Sequence, residues 1–119
     1  MKISKVKTAQ TTRIEMVLKQ LNINYNKEFY FHPLRKWRSD FYLPDFNTLI
    51  EYEGGTFGFG RHNQPLGYSK DCGKYNETQK LRYSLLRYTA DMIKGDNIYR
   101  IVKDIEEIKS GLPQKELFA

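Results

Sequence analysis

Cysteine is nearly absent: Cys72 is the only one in 119 residues. No internal disulfide can form, so packing must hold the fold, and a reducing, cytoplasmic setting is expected. Cys72 itself reads as a small packed side chain rather than a reactive thiol. No apolar run approaches the roughly 20 residues of a membrane helix, so no membrane role is expected. The opening MKISKVKTAQ carries lysines with no apolar core behind them, unlike a secretory leader. Repeats and low-complexity linkers are missing. No Gly-Lys-Ser/Thr follows the glycines after residue 53, so no phosphate-binding loop of that kind is encoded. Acids are also short. Fourteen Asp and Glu face twenty Lys and Arg, for a net charge of +6. That imbalance favours a polyanionic partner, either nucleic acid or an acidic membrane surface.

What is present suits one folded domain spanning residues 1–119, with residues 1–9 a basic, mobile tail. Apolar residues make up 39% of the chain, enough for a core rather than disorder. Thr11 or Thr12 can cap a helix that carries Ile14, Val17, Leu18 and Leu21 at helical spacing. Three strands follow: YNKEFYFHP, KWRSDFYL and NTLIEYE. Residues 54–68 hold five of the eight glycines and read as a long loop. A helix from Lys70 to Arg82, capped by Ser69, precedes a fourth strand, YSLLRYT. After Asp96, the spacing of Ile98, Ile101, Val102, Ile105 and Ile108 gives an amphipathic helix ended by Gly111 and Pro113. The expected fold class is α/β, of the α+β kind: a mixed four-stranded sheet flanked by helices in α-β-β-β-α-β-α order.

The second and third strands raise an electrostatic question. Strand side chains alternate, so Arg38, Asp40 and Tyr42 share one face, and Leu49, Glu51 and Glu53 share another. An even-length turn around Asp45 and Phe46 sets Phe41 against Ile50, Asp40 against Glu51 and Arg38 against Glu53. An odd turn scrambles the faces, so the even register is expected. Two like charges about 4 Å apart repel by about 1 kcal/mol in water and about 4 kcal/mol near a protein surface. Arg38 can neutralise Glu53. The Asp40–Glu51 pair needs a proton, a lysine or a cation, unless solvent screens it. Among cations, Mg²⁺ suits hard carboxylate oxygens.

RSDFYLPDFNTLIEYEGG, followed by RH, KDCGKYNE and YSLLRYT, resembles the PD-(D/E)XK, or restriction-endonuclease-like, nuclease superfamily. The resemblance covers about residues 12–89. It leans towards small stand-alone phage-type nucleases related to very-short-patch repair endonucleases. It implies a Mg²⁺-dependent DNA endonuclease, with Mn²⁺ as a substitute. Asp40 and Glu51 would bind the metal, with the Tyr52 carbonyl facing it and Glu15 as an extra acid from the first helix. The chain departs from the usual pattern at Glu53, where lysine is commonest, so Glu53, His62 or Lys74 would complete the catalytic set.

Several of these residues have plainer readings. Glu15 lies three residues after Thr12, as in a capping box. His62 is a loop histidine. Lys74 could pair with Asp71 on a solvated helix face. Trp37 is expected in the core, with Arg35, Lys36, Arg38, Arg61 and Lys70 towards DNA. The expected chemistry is phosphodiester hydrolysis of DNA, with branched or mismatched substrates among those open. Double-strand cutting by one small domain would need a homodimer. The rivals are a non-catalytic nucleic-acid-binding module on the same fold and a protein-interaction domain such as a phage inhibitor.

Overall fold

The computed structural model describes residues 5–54 and 65–111. In chain order these form α1 (Lys5–Gln20), β1 (Asn26–Tyr30), β2 (Arg38–Leu43), β3 (Thr48–Glu53), α2 (Pro65–Lys80), β4 (Ser84–Thr89), α3 (Ala90–Ile93), a 3₁₀ turn (Gly95–Ile98) and α4 (Tyr99–Lys109). The strands lie in the order β1-β2-β3-β4. The first two pairings are antiparallel, and β3 runs parallel to β4 across the α2 crossover. No described helix is long and apolar enough to cross a membrane.

The β2–β3 hairpin adopts the even register. Phe41 pairs with Ile50 and Leu43 with Thr48, around the four residues Pro44 to Asn47. Phe46 N–H closes the turn on Leu43 O at 3.1 Å, and Asn47 takes a left-handed φ of +48°. Asparagine tolerates that region better than most residues. Its side chain also fastens the turn to the far corner of the sheet. Oδ1 accepts from the Tyr42 hydroxyl and Nδ2 donates to Arg82 O.

One face of the sheet carries the apolar core. Phe41, Leu43, Ile50, Tyr52 and Tyr88 meet Ile14, Val17 and Leu18 of α1 and Ile101 and Ile105 of α4. The buried Tyr88 hydroxyl finds a partner in Asp104 of α4 at 2.8 Å. From the other face, α2 reaches the sheet with Lys74, Tyr75 and the buried Thr78.

The first two helices start earlier than expected. α1 begins at Lys5, so residues 5–9 of the expected tail are helical. Thr12 is no cap: its hydroxyl donates to Thr8 O within the helix at 2.8 Å. Threonine can satisfy its own hydroxyl this way mid-helix, which is why it is an ambiguous start signal. Ser69 likewise lies inside α2, which begins at Pro65. Pro is well suited to a first helical turn because its missing N–H would be unpaired there. Trp37 lies just outside β2 and is half-buried, packing beside Phe31 and His32 rather than in the core. The turn of α3 and the 3₁₀ segment were not legible as separate elements. α4 ends at Lys109, with Gly111 just beyond it at a φ of +64°, while Pro113 lies outside the described residues.

Candidate active site

The acids of β2 and β3 escape the opposition that their register imposes. Backbone pairing stops at Phe41 and Ile50. One step on, Asp40 uses its carboxylate instead: Oδ2 accepts the Tyr52 backbone N–H at 2.7 Å. A carboxylate accepting an N–H is a strong, charge-assisted bond. It anchors Asp40 on the peptide that follows Glu51.

Glu51 is 8% exposed and turns to α2. Its Oε1 accepts Lys74 Nζ at 2.6 Å, and the same ammonium donates to Arg38 O at 3.1 Å. Burial pushes the Glu51 pKa up, Lys74 opposes that shift, and the Glu53 charge adds to it. Of the three remedies the sequence left open, a lysine is in place at Glu51. Lys74 is therefore no solvated helix-surface residue; its ammonium also sits 5.8 Å from the centre of the Phe31 ring.

Arg38 does not neutralise Glu53. It pairs with Glu28 at 2.9 Å, while Glu53 Oε1 accepts from Nε and Nη2 of Arg87 at 2.9 and 2.8 Å. The cause is β4. Its parallel register places Arg87 beside Glu51, two residues from Glu53 on the same face of β3, a contact that no local pattern announces. Leu86-Arg87 was visible as a strand motif, but the role of Arg87 was missed.

On the other side of Asp40 lies a pocket of about 120 Å³. Asp40, Glu15, Glu28, Lys27 and three threonines of α1 line it; Glu51 does not. Glu28 stands across the β1–β2 pair from Asp40 and has a left-handed φ of +54°. Such a conformation is uncommon for glutamate and is found where surrounding structure enforces it. Glu15 forms no capping box. Its Oε2 accepts the Tyr25 hydroxyl at 2.6 Å and its Oε1 accepts Lys27 Nζ at 3.2 Å. The Tyr25 bond, ahead of Lys27, holds the Glu15 carboxyl below its ordinary pKa against a desolvation cost.

The expected site residues thus separate into groups. Asp40 joins Glu15 at the pocket and touches the Tyr52 backbone. Glu51 joins Lys74. Glu53 is tied to Arg87. Arg35, Lys36 and Lys70 are exposed. Arg61 and His62 lie outside the described residues. The sequence reading missed Tyr25, Arg87 and His32. The His32 Nδ1 accepts the N–H groups of Leu34 and Arg35, each at 3.0 Å, so Nε2 donates to Glu77 Oε1 at 2.9 Å.

The oxygens of Asp40, Glu51 and Glu15 are hard donors, chemically suited to Mg²⁺, which commonly takes one or two carboxylates and keeps waters. Among the described residues, no group of three or more His, Cys, Asp or Glu forms a metal-binding cluster. Among the described residues the acids therefore form no all-protein cage.

No family model matches the chain, and no curated protein matches it significantly. Among solved structures, it is similar to the catalytic domain of the homing endonuclease I-Bth0305I. The TM-score is 0.62 at 22% identity, over 82% of this chain and 90% of that one. Its mixed four-stranded sheet with flanking helices is thus a fold that a homing endonuclease catalytic domain also uses.

Proposed function

We propose that the protein is a Mg²⁺-dependent DNA endonuclease. The observation that carries this reading is Asp40 Oδ2 on the Tyr52 N–H at 2.7 Å, beside a buried Glu51 that Lys74 engages at 2.6 Å. Neighbouring acids from two strands with a lysine in reach suit phosphodiester hydrolysis. The likeness of fold to a homing endonuclease domain and the +6 charge support the choice of DNA.

Asp40, Glu51 and the Tyr52 carbonyl would hold the ion, with Glu15 offering an oxygen from the pocket side. A bound Mg²⁺ would supply an acidified water and offset charge on the phosphate. Asp40 is pre-positioned by its backbone bond, so its geometry needs little reorganisation. Lys74 exchanges Glu51 for a phosphate oxygen and stabilises the charge that builds there. Glu53, steadied by Arg87, or His62 takes the proton from water. Arg35, Lys36, Arg61 and Lys70 contact the DNA backbone, and Arg38 does so when released from Glu28.

The test is cleavage of linear, mismatched and branched duplexes with and without Mg²⁺ or Mn²⁺. Asp40→Asn and Glu51→Gln should each lower the rate by about 100-fold or more while duplex binding persists. Cutting at the parental rate by both variants would overturn the assignment. Binding without any cutting by the parent would mark a non-catalytic DNA-binding module.

A further inference from the structure

The segment between β1 and β2 presents an apolar tip on a braced base. Leu34 is 89% exposed, and Tyr30 is 59% exposed. A single exposed leucine is ordinary on a protein surface. This one differs in its support. The two N–H groups that hold its turn, those of Leu34 and Arg35, both donate to His32 Nδ1. The His32 side chain is only 8% exposed and is fixed from behind by Glu77 of α2. Its ring packs edge-on against Trp37, with centroids 5.3 Å apart. Arg35 lies over the Trp37 ring at 5.0 Å, and Arg38 lies over Tyr30 at 5.7 Å. A hydrophobic tip is thus held out on a hydrogen-bonded turn, followed directly by the exposed Arg35 and Lys36. The brace also ties the base of the turn to the helix that carries Lys74. Glu77 is three residues from Lys74 on α2, about 4.5 Å along the helix axis.

We propose that this turn is a DNA wedge: Leu34 enters between adjacent base pairs and unstacks them, while Arg35 and Lys36 hold the flanking phosphates. The inference rests on the DNA reading above and specifies how duplex is deformed beside the site. Apolar side chains inserted at a base step kink a duplex, and the unstacking costs a few kcal/mol, which neighbouring contacts must offset. A pre-ordered turn lowers that cost because little loop entropy is lost on binding. Two cations beside an apolar tip fit a polyanion better than they fit an apolar protein partner.

The experiment uses the full chain in EDTA, so that no cutting occurs, with duplexes carrying 2-aminopurine at successive positions. Unstacking of the reporter base raises its fluorescence. The parent should give a several-fold rise at one or two adjacent steps. Leu34→Ala should abolish that rise while retaining most of its binding and its melting temperature. Leu34→Met should keep the rise. Arg35→Ala combined with Lys36→Ala should reduce the slope of log affinity against log salt by about 2. A parent that binds duplex without any fluorescence rise overturns the wedge and leaves the DNA reading standing. A rise that survives in Leu34→Ala overturns it equally. A parent that binds no duplex at all overturns the DNA reading, and the wedge with it.

Discussion

Glu15 and Glu51 are carboxylates driven in opposite directions by what touches them. Glu15 is held ionised, chiefly by the Tyr25 hydroxyl, whereas burial resists the charge on Glu51. Contact with a hydroxyl and a lysine favours the charged form of Glu15, whereas at Glu51 the Lys74 contact works against the cost of burial. Tyr25→Phe removes the largest cause of the Glu15 shift. Its titration midpoint should rise towards the ordinary glutamate value, and carboxyl NMR of the variant should record it; an unmoved midpoint would refute the role given to Tyr25. At this scale the sequence was a partial guide. It singled out Asp40 and Glu51 because acids on paired strands are conspicuous, and Glu15 and Lys74 only through the family resemblance. It misassigned partners, giving Arg38 to Glu53. Ion-pair choice depends on elements far apart in the chain, and Arg87 became adjacent only through the parallel pairing of β3 with β4.

Among the elements, the hairpin register was legible because the side-chain period of a strand is two, and only an even turn keeps Phe41 with Ile50. Helix ends were less so. α1 and α2 both finish in a wrap of the same geometry. Ile23 N–H donates to Leu18 O and Tyr83 N–H to Thr78 O, with Asn22 and Arg82 at left-handed φ of 55° and 67°. That is the Schellman arrangement, in which glycine is the favoured left-handed residue. Asn22 is a tolerable substitute, whereas Arg82 sits there at a steric cost. Arg82→Gly relieves it and should stabilise the fold by about 0.5–1 kcal/mol net of glycine's extra chain entropy. The check is a higher urea midpoint with an unchanged slope, and a lower midpoint would contradict it. The stop expected at Arg82 lies within two residues of the end of α2 at Lys80, whereas threonines at 11 and 12 suggested a start that the backbone ignores.

For the molecule as a whole, the mixed sheet and its crossover helix followed from the order of helices and strands. The division of the candidate site into an α1 side and an α2 side did not. It arises because Asp40 spends its carboxylate on the backbone between two strands, a choice made in three dimensions. The division has a thermal signature. The Glu51 pKa is raised in the folded state, so folding favours its neutral form. Its contribution to stability is fullest below the unfolded carboxylate pKa of about 4.3 and is lost as pH rises through the folded value. Glu51→Gln should flatten that part of the melting-temperature profile. Near neutral pH, Mg²⁺ at ten times its dissociation constant should add about 1.4 kcal/mol to the parent, roughly 5 °C in melting temperature. Asp40→Asn should respond far less. Equal Mg²⁺ responses in parent and variant would place the ion elsewhere.

Lys74 holds Arg38 O, Glu77 holds His32, and the corner just beyond α2 is tied through Arg82 O to Asn47. These three moorings reach β2, the β1–β2 turn and the hairpin tip, and none depends on the covalent link between β3 and α2. The seat of the lysine on its acid is therefore set by three separate attachments of α2, and the loss of one leaves two in place.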